Sequence, residues 1–339
     1  MVKAATADAP ATGLPTRKTL EAAARVVHGV LAPTPQYCWP LISQRVGLEV
    51  WVKHENHTPT GAFKVRGGLV LLERLKRERP DLPGVVSATR GNHGQSLAYA
   101  GRRHGVRSVI VVPHGNSRDK NAAMRAWGAE LVEHGRDFDA ARLHAAQIAA
   151  EQGLEFVGPF MPDLIAGVGS YAIELYHGAP PLDAVYAPIG CGSGICGLIA
   201  WRDALGLATR VIGVVSAHAD CYAQSFEAGR PIETESADTF ADGMAVRVPV
   251  PEALAAIRAG VDRIIRVTDD EVKAAMRHFF HDTHNLVEGA GAAALAALMK
   301  DAERKGSRFG VIASGGNIDR EAYVEALAMG SEKGSDPCG

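Results

Sequence analysis

Strand-like and helix-like segments alternate along nearly the whole chain, and that alternation limits the fold more than any single motif. Short runs rich in β-branched residues, EVWVKH, GVVSAT, RSVIVVP, LDAVYAPI, RVIGVVSA, RIIRVT and FGVIASGG, stand between longer stretches of helical character. Among those stretches are NAAMRAWGAELVE, FDAARLHAAQIAAEQG and DDEVKAAMRHFFHD. The last has a clear start: Thr268 can cap it, and Asp269, Asp270 and Glu271 suit the positive end of a helix. Strands separated by helices assemble into parallel sheets whose faces the helices cover. The fold class is α/β. At 339 residues the chain exceeds one ordinary core, so two lobes are expected. The first dozen residues and the tail SEKGSDPCG read as loose ends.

Composition narrows the function. The formal net charge is −2, without a long basic or acidic run, which argues against a nucleic-acid or polybasic membrane surface. No apolar stretch reaches the roughly 18 residues of a spanning helix, and the N-terminus lacks the apolar segment of a signal peptide. The five cysteines form no CxxC pair and no even framework, as expected for reduced thiols in a cytoplasmic protein.

In α/β folds ligands gather at the carboxyl ends of the strands. Three glycine-rich or polar loops fall there: TRGNHG (89–94), GCGSG (190–194) and SGGN (314–317). A strand, a glycine turn and a helix start form an anion cradle, because backbone amides and the helix N-terminus converge on it. Gly192, Gly194 and Gly197 also match G-x-G-x-x-G, but the next strand ends in Ser216 and Ala217 where a dinucleotide site wants an acid. The loop therefore reads as a cradle for one phosphate, or as a tight turn with no ligand. TRGNHG can hold a carboxylate or phenolate oxygen on its amides, and Asn92 can equally cap a helix. Ser314 reads as a site hydroxyl or a plain turn residue.

Lys64, in TGAFKVRGG, stands between Phe63 and Val65. Desolvation lowers a lysine pKa, and the neutral amine is what an aldehyde captures. Taken in order, AFKVRGG, RGNHGQ, GCGSG, EGAGAAALAAL (288–298) and SGGN resemble the S-F-K-x-R-G, G-N-H, tetraglycine, E-P-A-G-A and pyridine-nitrogen motifs of the threonine/serine dehydratases. These are fold type II pyridoxal-phosphate enzymes, and the resemblance runs over roughly residues 25–330.

The resemblance implies two open, mostly parallel sheets covered by helices. It implies a large cofactor-binding domain (1–60 and 160–330), a small substrate-side domain (61–159) and a disordered tail (331–339). Lys64 would hold pyridoxal 5′-phosphate covalently and serve as catalytic base, with Phe63 beside the ring. Asn92 would bond the 3′-oxygen, Gly190, Cys191, Gly192, Ser193 and Gly194 would take the phosphate, and Ser314 would face the ring nitrogen. The substrate carboxylate would lie on Thr89, Arg90, Gly91, Asn92 and His93. Phe63 and Val65 would keep Lys64 poorly hydrated, and the glycines after Arg66 would let the chain turn past the cofactor. The implied reaction is β-elimination from a threonine- or serine-like β-hydroxy amino acid to a 2-oxo acid and ammonia. The alternatives are a 3-hydroxyaspartate or phenylserine dehydratase, a racemase, a β-replacement synthase, and, from other classes, a nicotinamide-dependent oxidoreductase or an amino-acid-binding module.

Two departures from the pattern bear on this. Arg90 occupies a place that is often Ser or Ala, where related racemases use a serine on the opposite face of the substrate. It reads either as a contact for a distal substrate anion or as a solvent-facing side chain. In VVSAHADCY, Val214 or Val215 stands where many relatives carry a metal-ligating glutamate, so the family metal is expected to be absent or weak. His278, His281 and His284 drift around a helix and are not read as a zinc site. SADTFADGMAV reads as a loop with a substrate or subunit role. The chain ends about where a catalytic core would, which suggests catabolic use without isoleucine feedback. The expected partners are a small amino-acid substrate and a second copy of the chain in a homodimer, with no nucleic acid or membrane.

Overall fold

The computed structural model describes residues 13–328. The first dozen residues and the expected disordered tail 331–339 lie outside the described residues. Ten strands form two sheets: β1 (Gln36–Cys38), β2 (Glu49–His54), β3 (Val85–Ala88), β4 (Ser108–Val112), β5 (Glu130–Glu133), β6 (Glu155–Phe156), β7 (Ala184–Pro188), β8 (Arg210–Ser216), β9 (Arg263–Val267) and β10 (Arg308–Ala313). The larger sheet has the order β1-β2-β10-β7-β8-β9, and the smaller β5-β4-β3-β6. Every pairing is parallel except β1 with β2.

The sequence of each strand reports its place. β3 and β4 are buried at every position and read as apolar runs with one serine each, because helices cover both faces of a parallel sheet. β5, on an edge, carries Glu130 and Glu133 exposed at its ends. The helix Gly289–Lys300 is buried from Gly289 through Leu298, and its alanines let it lie close against the large sheet. The helix Asp269–Thr283 starts as its sequence indicates, with a reciprocal capping box between Thr268 and Glu271.

Two expectations need correction. NAAMRAWGAELVE is not one helix. A helix ends at Ala126, Gly128 turns with φ 96°, and Glu130–Glu133 becomes β5, paired with β4. A helical glycine costs about 1 kcal/mol, and pairing beside β4 rewards the extended form. Gly67 and Gly68 do not turn the chain either, because both lie inside the helix Lys64–Glu78. A Cβ at Gly67 would meet the Leu164 carbonyl oxygen at 2.9 Å, and one at Gly68 the Ser96 hydroxyl at 2.3 Å. These glycines bring helices together. Strands β1 and β6 were not anticipated, since three and two residues are too few to show a period.

The carboxyl ends of β3, β7 and β10 run directly into the 89–94, 190–194 and 314–317 loops. The fold thus delivers all three to one cavity, which residues of each loop line.

Candidate active site

A cavity of about 890 Å³ lies among these loops. Phe63, Lys64, Thr89, Arg90, Gly91, Asn92, His93, Gly190, Cys191, Gly192, Ser193, Gly194 and Ser314 all line it. Lys64 opens the helix Lys64–Glu78, and its Nζ donates to Ser193 Oγ at 2.8 Å, 5.0 Å from the centre of the Phe63 ring. Burial draws the Lys64 amine below the ordinary lysine range. The Phe63 amide donates to the Ser314 carbonyl, and Ala62 bridges to Gly315, so the lysine segment is stitched to the end of β10.

Ser193 begins the helix Ser193–Ala204, which no side chain caps. Its first amides lack intrahelical partners and face the cavity end of the helix. Gly192 precedes it at φ 97°, and a Cβ at Gly190 would meet the Gly243 carbonyl at 2.2 Å, so both positions require glycine. The loop is held from behind by Tyr171, whose hydroxyl donates to the Gly194 carbonyl at 2.9 Å. The Ser314 side chain is buried and engages no protein partner among the described residues.

On the opposite wall, Gly91 caps the helix Asn92–His104. Asn92 Nδ2 donates to Glu288 Oε1 at 2.7 Å, and its Oδ1 accepts from Asn317 Nδ2 at 2.8 Å. One Nδ2 hydrogen of Asn92 thus remains uncommitted. His93 is buried with Nε2 unpartnered, and burial, reinforced by the nearby Lys64, lowers its pKa to about 3. Arg90 is exposed at the cavity rim and forms no ion pair among the described residues.

The profile of the family described as "Pyridoxal-phosphate dependent enzyme" matches residues 27–315. The chain belongs to this family. Pyridoxal phosphate is its cofactor, and its architecture is that of the fold type II members. The biosynthetic L-threonine dehydratase of Salmonella typhimurium is 34% identical over 91% of this chain and 64% of its own length. The L-threonine ammonia-lyase of Thermotoga maritima is 32% identical over 90% of this chain and 76% of its own. A maize serine racemase structure superposes with a TM-score of 0.87 at 26% identity, covering 92% of this chain and 96% of that one. The chain spans about half to two-thirds of the length of the first curated relatives it matches.

The residues present suit this cofactor. A lysine of lowered pKa, an uncapped helix start behind a glycine loop, the unpartnered hydroxyl of Ser314 and a spare Asn92 hydrogen converge on one cavity. Sequence reasoning missed a group on the same wall. Lys120 Nζ lies 2.5 Å from Asp242 Oδ2 and 4.0 Å from Glu288 Oε2. Burial pulls Lys120 down, but Asp242 and Glu288 outweigh it and hold the ammonium above the usual lysine value. Burial raises Glu288 to about 7 against the pull of Lys120. EGAGA flagged Glu288, and SADTFADGMAV flagged the loop carrying Asp242; nothing local marks Lys120. Asp220, the remaining acid of the metal-like stretch, is bound by Arg266 and Gln224.

Proposed function

We propose that this protein is an ammonia-lyase that eliminates water from a β-hydroxy amino acid of the threonine or serine type, the enamine product then taking up water to give a 2-oxo acid and ammonia. The observation that carries the reading is the Lys64 amine, lowered in pKa by burial and set 2.8 Å from Ser193 at the start of an uncapped helix. The relatives named threonine dehydratase and threonine ammonia-lyase support it.

Bound pyridoxal phosphate supplies an aldehyde for an amine and a sink for electrons released at the substrate Cα. Lys64 would hold the cofactor and then, freed as a neutral amine, remove the α-proton. The amides of Gly190, Cys191, Gly192, Ser193 and Gly194 would bind the phosphate. Phe63 would border the ring, Asn92 would give its spare hydrogen to the 3′-oxygen, and Ser314 would meet the ring nitrogen with a hydroxyl instead of an acid. A hydroxyl keeps that nitrogen near neutral, which favours prompt loss of a β-leaving group. Thr89, Arg90, Gly91, Asn92 and His93 would receive the substrate carboxylate. In this reading residues 1–60 and 160–330 form the cofactor-binding domain and 61–159 the substrate-side domain, in a cytoplasmic homodimer.

The test is a visible spectrum of the purified protein with pyridoxal phosphate, repeated with L-threonine, L-serine, 3-hydroxyaspartate and phenylserine. A yellow band that shifts with one of them, with 2-oxo acid and ammonia released, is the expected result. Lys64→Ala should abolish the band and cut turnover by at least about 10²–10⁴-fold. No band in wild type would overturn the reading. The racemase neighbour motivates a second assay, for D-amino acid; Arg90 in place of a serine predicts none.

A further inference from the structure

Arg66, two residues beyond Lys64, lies at the centre of a buried charge cluster that the proposed chemistry does not use. Its Nε donates to Glu55 Oε2 at 2.7 Å and its Nη1 to Ser170 Oγ at 2.9 Å and Glu174 Oε1 at 2.6 Å. Its Nη2 donates to Glu55 Oε1 and Glu174 Oε2, both at 2.9 Å, and more weakly to Thr34 Oγ1. Lys53 Nζ joins Glu174 Oε2 at 2.6 Å. Arg66, Glu55 and Lys53 are wholly buried, and Glu174 nearly so. Such clusters rarely stabilise a fold more than apolar packing of the same volume would. A reason for this one must be sought in what it fixes.

Residues i and i+2 of a helix point to nearly opposite sides. Lys64 reaches into the cavity from one side of the first turn, and Arg66 is clamped on the other. The clamp comes from the helix Ser170–Gly178, through Ser170 and Glu174. The same helix carries Tyr171, which holds the Gly194 carbonyl and meets the Phe63 ring edge-on with centroids 6.3 Å apart. One rigid element thus grips both the turn that bears Lys64 and the glycine loop that faces it.

We propose that Arg66, held by Glu174 and Ser170, is a positioning residue: with Tyr171 it sets the distance between the Lys64 amine and the 190–194 loop. The inference rests on the reading of Lys64 as the lysine that holds the cofactor.

The experiment compares wild type, Arg66→Lys and Tyr171→Phe, each loaded with pyridoxal phosphate. Cofactor content, the rate of borohydride trapping of the cofactor on Lys64, kcat, KM and thermal midpoint are measured. A shifted lysine should leave bound cofactor near wild-type content while kcat and the trapping rate fall about 10- to 100-fold, with KM moving far less. A lowered thermal midpoint with kcat and trapping unchanged in both variants overturns the proposal, because the cluster would then only stabilise. Should Arg66→Lys fail to fold, Tyr171→Phe decides alone: it leaves every buried charge paired and removes one hydroxyl, and unchanged kcat and trapping in it overturn the proposal. If wild type itself traps nothing on Lys64, the functional reading fails; if wild type traps normally and the variants match it, only the positioning role fails.

Discussion

Two buried charge clusters, one around Arg66 and one around Glu288, are built on opposite terms. Around Arg66, all five guanidinium hydrogens and both carboxylates of Glu55 and Glu174 find partners. Around Glu288, Oε2 has no hydrogen bond and Lys120 stands off from the carboxylate by 4.0 Å. A saturated network holds one geometry, since any shift strands a charge. A network with open valences is poorly settled without a ligand and can receive one. The difference separates the framework of this molecule from its working surface.

The strongest way to break this comparison is to remove a member of the saturated cluster. Glu174→Ala leaves Lys53 and Arg66 short of a carboxylate and should cost about 3–5 kcal/mol, read from the urea midpoint. Next comes acid. Despite its burial, Glu174 is held by Arg66 and Lys53 at a pKa of about 2, below its unfolded value of about 4.5. The unfolded chain therefore takes up that proton first, and stability falls as pH drops from about 5 to 2. The expected loss is on the order of 3 kcal/mol, and Glu174→Gln should flatten that limb.

The smallest effect sharpens the contrast from the other side. Glu288, raised to about 7 by burial, holds its proton more tightly folded than unfolded. In cofactor-free protein its contribution is full below about pH 4.5 and is lost as pH rises through 7. Glu288→Gln should remove that loss and leave the variant more stable than wild type at pH 8 by less than about 3 kcal/mol, because Lys120 keeps Asp242 but loses its attraction to the Glu288 carboxylate. A stability loss at pH 8 on the scale of Glu174→Ala would erase the distinction.

Much of this was legible before any fold was known. Seven strands announced themselves by β-branched runs, and in β3, β4, β7, β8 and β10 burial on both sheet faces leaves little room for polar alternation. The three loops could be placed at strand ends by the same reasoning, and the apolar neighbours of Lys64 hinted at a desolvated amine. Glu130–Glu133 was misread because an edge strand with charged ends resembles the exposed face of a helix. Arg66 was visible as part of a motif, but nothing near it in sequence says that its partners are at 55 and 174.

The sequence by itself determined the α/β class, the order of seven of the ten strands along the chain and the residue types offered at each loop. These are local properties, set by periodicity, capping and turn chemistry within a few residues. Only the tertiary structure decided that Lys64 meets Ser193, that Asn92 is braced by Glu288 and Asn317, and that Lys120 faces Asp242. Those pairs lie 129, 196, 225 and 122 residues apart in the chain. Their meeting depends on how two sheets pack, and so do the burial that lowers the Lys64 pKa and the burial that raises Glu288.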